Sequence, residues 1–148
     1  MSALRFVNLP PVWLVAFMAA AWLIAEVHAP WGDALLWVGR AMIGASLALM
    51  VWSAIAFRRA RTTIIPHLEP SALVETGPYR FSRNPIYLAD LVILAGWVLS
   101  LGSPLGLLLL APFRWVLLRL FILPEEARLT HHLGQPYSDY CARVRRWI

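Results

Sequence analysis

The sequence predicts an all-α fold: an integral membrane bundle of four transmembrane helices with an ordered cytoplasmic loop and a C-terminal interfacial helical segment. Composition is the first reason, since 60% of the 148 residues are hydrophobic and only 14% are charged, against roughly 45–50% and about 25% in soluble domains. The second reason is that the apolar residues fall into four blocks. The third is that the arginines concentrate between and after those blocks.

The four apolar blocks have the length that membrane-spanning helices need. A helix requires about 20 mostly apolar residues, with a range of roughly 17–25, to cross the hydrocarbon layer. Only helices satisfy every backbone group of a spanning segment in that layer. In chain order the predicted spans are Val12–Val27, Ala34–Phe57, Ile86–Leu101 and Pro104–Leu123.

Arginine placement predicts the orientation of these spans. The segment Arg58–Arg83 carries five arginines and the tail after Pro124 carries four, whereas the connections His28–Asp33 and Leu101–Pro104 carry none. Cytoplasmic segments hold the excess of basic residues. We therefore expect a multi-pass protein whose central loop, N terminus and C terminus are all cytoplasmic.

The chain reads as a single membrane domain, residues 1–148, with four consecutive parts. Proline and glycine punctuate the central loop, but Leu73, Val74 and Tyr79 are apolar enough to pack, so the loop is expected to be ordered. The parts are a first helical hairpin (1–59), the cytoplasmic loop (60–84), a second helical hairpin (85–123) and a cytoplasmic or interfacial tail (124–148).

The tail is expected to form two short helices. Pro124 suits the first position of a helix, and Gly134 is expected to end that helix. The second helix carries an apolar stripe beside three arginines, a pattern typical of a helix lying at the membrane surface. The stripe consists of Tyr137, Tyr140, Val144 and Trp147.

Three charged residues of the second hairpin need partners, because a charge near the bilayer centre costs at least about 2.5–3.5 kcal/mol. Counting outward from the turn at Gly102 places Asp90 level with Trp115, one residue from Arg114, which predicts an ion pair between Asp90 and Arg114. The sequence leaves open whether that pair is structural or functional. The same count places Arg119 opposite Tyr87, with its guanidinium available for an anionic group.

Several other classes of site lack their motifs in this sequence. HExxH and CxxC are absent, so no metal site is predicted. GxGxxG and Walker A motifs are also absent, and the arginines are too few and scattered to indicate a nucleic-acid partner. The single cysteine, Cys141, is interpreted as an inert thiol.

The segment Leu73–Tyr87, which reads LVETGPYRFSRNPIY, resembles the signature of the isoprenylcysteine carboxyl methyltransferase family. That family is similar to the phospholipid N-methyltransferases. Its pattern continues after a helical hairpin with two glutamates, then GxxYxxY and a basic end. Here these elements are Glu125 and Glu126, the segment Gly134–Tyr140 and the arginines that follow it, so the resemblance covers about half of the chain.

The resemblance implies a site for S-adenosylmethionine formed without a Rossmann fold, by the loop, the second hairpin and the tail. Arg119 matches a family arginine that contacts the methyl acceptor. Asn84 stands where the eukaryotic pattern has histidine, and its amide does not titrate near neutral pH. The implied cofactor-binding residues are Ser71, Ala72, Leu73, Val74, Tyr79, Asn84, Pro85, Ile86, Tyr87, Glu125 and Glu126.

These implications predict an S-adenosylmethionine-dependent membrane methyltransferase acting on a lipophilic or small amphipathic acceptor. A carboxylate acceptor needs no base, whereas an amine or thiol acceptor would, and the sequence leaves this choice, the acceptor's identity and the oligomeric state open. One alternative is an NADPH-dependent membrane reductase of the sterol-reductase type, which would need a phosphate site such as Arg58, Arg59 and Arg61. The other is a non-catalytic helical membrane protein.

Overall fold

The computed structural model describes residues 9–25, 33–60 and 73–148, and the regular structure in these ranges is entirely helical. A short 3₁₀ helix, Gly77–Arg80, precedes the third long helix, and a short helix, α5 (Gln135–Arg143), follows the fourth. Two of the long helices, α2 (Asp33–Arg59) and α4 (Pro104–Leu133), are long and apolar enough to cross a membrane. The long helices are α1 (Pro10–Ala25), α2 (Asp33–Arg59), α3 (Pro85–Ser100) and α4 (Pro104–Leu133).

Helix α3 forms the centre of the bundle, because each of the other long helices packs against it. Leu94 of α3 is completely buried, and the indole nitrogen of Trp97 donates a 3.0 Å hydrogen bond to the Met18 carbonyl of α1. Large apolar side chains on α1 and α2, among them Trp22 and Trp37, remain exposed on the outside. An apolar outer surface of this kind suits a lipid environment.

The crossing of α2 and α3 depends on two glycines. A Cβ atom on Gly96 would lie 2.6 Å from the Gly39 carbonyl oxygen, and a Cβ on Gly39 would lie 2.6 Å from the Ser100 amide nitrogen. Small residues therefore let the two backbones touch, as is common between helices in membranes. Ser46 and Ser53 continue the buried stripe of α2 at intervals of seven residues.

Helix α4 is continuous but not uniform. It begins as a 3₁₀ segment (Pro104–Leu109) and changes to a π-helical segment (Leu117–Ile122) before its last part (Leu123–Leu133). Proline inside a helix lacks an N–H group and clashes with the carbonyl four residues earlier, and the wider π turn just before Pro124 accommodates it. The helix predicted to begin at Pro124 is present as this last part, which has Pro124 in its first turn but continues α4 without a break. Gly134, at a positive φ of 58°, ends the helix as predicted.

The prediction of an ion pair between Asp90 and Arg114 is wrong. Arg114 is exposed, and its guanidinium lies 5.4 Å from the centre of the Trp147 ring. The prediction assumed uniform α geometry, but a 3₁₀ helix turns about 20° more per residue. The six residues of the 3₁₀ segment therefore rotate the following side chains by about 120°, which takes Arg114 away from Asp90.

Candidate functional site

The central feature of the site is a hydrogen bond between α3 and α4. Tyr87, in the first turn of α3, donates from its hydroxyl to Oε2 of Glu125 over 2.9 Å, and its ring stacks near that of Phe121. Glu125 lies beyond the apolar run that ends at Leu123. Burial raises the pKa of the Glu125 carboxyl, while the hydrogen bond from Tyr87 and the nearby Arg128 lower it.

The adjacent Glu126 has different surroundings. Arg146 binds both of its carboxylate oxygens, at 2.9 and 2.7 Å, and Arg83 lies 3.4 Å away from one of them. The hydrogen bonds to Glu126 raise the pKa of Arg146, which favours its charged guanidinium. The two neighbouring glutamates, which the resemblance implies as equivalent, thus have separate partners.

The described end of the loop packs in two directions. Val74 and Tyr79 are buried against the end of α2, at Ala56 and Phe57, whereas Leu73 packs on the cluster of Tyr137, Tyr140 and Val144. The expectation that these three loop residues pack is therefore confirmed. Of the implied cofactor residues, Ser71 and Ala72 lie outside the residues that the structure describes. Arg61, which the reductase alternative would use, lies outside them too.

Tyr79 connects this loop to both the tail and the site. Its carbonyl accepts a 2.7 Å hydrogen bond from the Tyr140 hydroxyl, and its ring meets Phe57 edge-on at 5.2 Å. Burial raises the pKa of the Tyr79 hydroxyl, and the Glu125 carboxylate raises it further. Tyr79 therefore stays neutral and lies within electrostatic range of Glu125.

The residues at the start of α3 join the loop to the end of the chain. The Asn84 side-chain amide donates a 3.0 Å hydrogen bond to the Arg146 carbonyl, and its backbone N–H donates to the Ser82 hydroxyl over 3.1 Å. Pro85 is the buried first residue of the helix, and Ile86 is partly buried. These residues therefore fix the position of the first turn of α3, which carries Tyr87.

Two further charged residues of the second hairpin are Arg119 and Asp90. Arg119 is exposed within the π-helical segment of α4 and forms no ion pair with the part of the chain that the structure describes. Asp90 is 3% exposed and follows Tyr87 by three residues, one turn deeper on the same face of α3. The position of Arg119 opposite Tyr87, expected from the sequence, stays a prediction.

Sequence reasoning missed Arg83 and Arg146 as parts of the site. Both were counted only as basic residues that indicate orientation or an interfacial face. A possible signal was the pair of adjacent glutamates, because two carboxylates close to a membrane require a counter-charge. The sequence holds many arginines that could supply it, and nothing local selects these two.

Comparisons with known proteins confirm the resemblance at the level of the family. The family model described as phospholipid methyltransferase matches residues 34–136, a range that includes all but the first residue of α2 and the whole of α3 and α4. A protein of Haemophilus influenzae described as uncharacterized is 38% identical over 63 residues, which cover 43% of this chain and 100% of that protein.

Proposed function

We propose, for a chain that belongs to the phospholipid methyltransferase family, transfer of a methyl group from S-adenosylmethionine to a lipophilic or small amphipathic acceptor at the membrane. Family membership makes the chain a membrane methyltransferase in general terms. The cofactor and the acceptor class are our proposal. The observation that carries it is the Tyr87–Glu125 hydrogen bond at the junction of loop, α3 and α4.

The residues around this hydrogen bond fit the proposed cofactor. Glu125 is a largely buried carboxylate that faces a neutral hydroxyl, so it can accept hydrogen bonds from the hydroxyl or amino groups of a nucleoside. Val74 and Tyr79 supply buried apolar surface nearby. Leu73, Asn84, Pro85 and Ile86 complete the described part of the proposed cofactor site.

The chemistry asks little of the protein beyond alignment. S-adenosylmethionine, when bound, supplies a methyl group on a positively charged sulfur. The chain's residues hold donor and acceptor in line and exclude water. We assign Arg119 to the anionic group of the acceptor, because a guanidinium at an exposed position can bind such a group in bidentate fashion.

Asp90 favours an amine among the three acceptor classes. Its buried side chain forms no ion pair with the described residues, and an ammonium group on the acceptor would stabilise its carboxylate form, whereas a carboxylate on the acceptor would oppose it. Glu125 and Tyr87 are the candidates for any general base. An amphipathic acceptor carrying both an amine and an anionic group would match Asp90 and Arg119 together.

We further propose that all four long helices cross the membrane. Helices α1 and α3 have 16 residues each, which at 1.5 Å per residue span about 24 Å of a layer roughly 30 Å thick. The loop and the tail touch each other through Tyr79 and Tyr140, so they lie on the same side. The arginine distribution assigns that side to the cytoplasm.

Ligand-dependent thermal stability tests the cofactor assignment. Purified protein in detergent should melt at a higher temperature with S-adenosylmethionine or S-adenosylhomocysteine, because a ligand that binds only the folded state stabilises it. NADPH serves as the comparison, since family membership does not favour a reductase. Stabilisation by NADPH alone would contradict the proposal, and no response to any of the three would favour the non-catalytic alternative. Incubation with labelled methyl donor and a total lipid extract would then identify the acceptor.

Arg119→Ala is expected to lower turnover by roughly 10- to 100-fold while changing the affinity for S-adenosylhomocysteine less than about twofold. The reason is that the variant removes an acceptor contact but no cofactor contact. Leu120→Ala, at the neighbouring exposed position, is the matched control and should retain activity. Equal loss of turnover and cofactor affinity in Arg119→Ala would assign this arginine to the fold or the cofactor instead.

A further inference from the structure

Three charged side chains lie directly beside the proposed cofactor site and take no part in the chemistry described above. Glu126 of α4 is held by Arg146 through two hydrogen bonds and lies 3.4 Å from Arg83. We call Glu126, Arg83 and Arg146 the ionic latch. Glu126 and Arg83 are each 14% exposed, so water screens the interaction between them only weakly.

Backbone contacts extend the latch into a strap formed by residues 144–148. The Arg145 carbonyl accepts a 2.9 Å hydrogen bond from the Arg83 amide, and the Arg146 carbonyl accepts the bond from Asn84. Beyond them, Trp147 packs against the main hydrophobic core and on Arg114. The strap thus joins the start of α3 to α4, which it contacts at Glu126 and Arg114.

The latch holds both ends of the Tyr87–Glu125 hydrogen bond. Arg83 and Asn84 immediately precede α3, whose first turn carries Tyr87, while Glu126 is the direct neighbour of Glu125. Movement of α3 away from α4 at this end would strain the contacts of the latch together with the 2.9 Å bond. The latch also neutralises Glu126, so of the two adjacent glutamates it is Glu125 that is left to attract the donors of a ligand.

We infer that Glu126, Arg83 and Arg146 are positioning residues: their ion pairs fix the separation of α3 and α4 that the proposed cofactor site requires, and Glu126 acts through the latch and not on the cofactor. The geometry of the latch rests on contacts between described residues. Its effect on cofactor binding rests on the proposed function. The latch distinguishes two glutamates that the motif treats alike.

A double-mutant cycle tests the inference through cofactor affinity. Arg146→Ala and Glu126→Ala should each weaken S-adenosylhomocysteine binding by about tenfold, and the double variant should bind no more weakly than Glu126→Ala, because that single change already removes both ion pairs of the latch. Arg146→Lys should recover part of the affinity. If Glu126→Ala lowers affinity to the same extent with Arg146 already replaced, Glu126 contacts the cofactor directly and the inference is overturned.

Hydrogen exchange without ligand separates failure of the latch from failure of the proposed function. In Arg146→Ala the amides of residues 83–88 should exchange at least about tenfold faster, since the Arg83 amide bonds the strap, while α2 should be unaffected. Arg143→Ala is the matched control, because its ion pair with Glu75 is exposed and contributes little. Unchanged exchange in Arg146→Ala would overturn the latch, whereas a wild-type protein that binds no S-adenosylhomocysteine would overturn the proposed function alone.

Discussion

Replacing Gly96 with leucine is expected to destabilise the folded bundle by about 3 kcal/mol or more, toward or beyond the upper end of the cost of overpacking a core. The new Cβ atom alone would lie 2.6 Å from the Gly39 carbonyl oxygen and 3.1 Å from the Met42 Cβ. A side chain can change rotamer to relieve a clash, but a backbone carbonyl cannot. Relief therefore requires α2 and α3 to separate, which removes the most extensive helix contact in the structure.

Gly44→Leu is the matched control for this prediction. Gly44 also lies within α2, but a Cβ atom there would meet nothing within 4 Å. The variant should melt at the wild-type temperature or slightly above it, because leucine favours a helix over glycine by up to about 1 kcal/mol. Thermal unfolding followed by circular dichroism in detergent measures both variants. Equal melting temperatures for Gly96→Leu and the wild type would contradict the close crossing.

The sequence was a good guide to which segments are helical. The apolar blocks and their flanking prolines predicted helices close to where the structure has them, for example α3 beginning at Pro85. Block boundaries are local information, since proline, glycine and the change from apolar to polar residues all act within a few positions. The same local logic placed the end of α4 correctly at Gly134.

Contacts between helices were predicted less well, because they depend on how each helix is rotated about its own axis as well as on the order of the helices along the chain. Gly44 and Ala48 have the spacing of a packing motif, yet Gly44 faces open space, while Gly39 makes the close crossing with Gly96. Neither Gly39 nor Gly96 stands out in its own helix. The Asp90–Arg114 prediction failed for the same reason, since one 3₁₀ segment changes the direction of every side chain after it.

In the candidate site too, some contacts could be predicted from the sequence and others could not. Tyr87 and Glu125 are separated by 38 positions, and the motif resemblance brought them together where periodicity could not. The three latch residues lie within the motif, but the motif does not say that they pair with each other, and the strap contacts beside them use the backbone carbonyls of Arg145 and Arg146. A backbone acceptor is available at every residue, so the sequence holds no mark of the positions that use it.

Glu125→Gln is expected to weaken S-adenosylhomocysteine binding by about 10- to 100-fold, the loss of a charge-assisted hydrogen bond, while the fold is retained. Glutamine keeps the shape of the side chain and can still accept the bond from Tyr87, so the effect reports the charge. Tyr87→Phe should cost about tenfold or less, because it removes only the group that orients the carboxylate. Glu75→Gln, at an exposed carboxylate, is the control and should bind normally.

The pH dependence of binding provides an independent check on Glu125. The carboxylate form is present above its pKa, and burial raises that pKa above the ordinary glutamate value. Wild-type affinity should therefore fall on acidification at a higher pH than an exposed glutamate would give, and Glu125→Gln should remove this dependence. Isothermal titration across the pH range measures both proteins. If the variant binds as tightly as the wild type and shares its pH profile, Glu125 does not hold the ligand, and the strongest reason for placing the cofactor between α3 and α4 is lost.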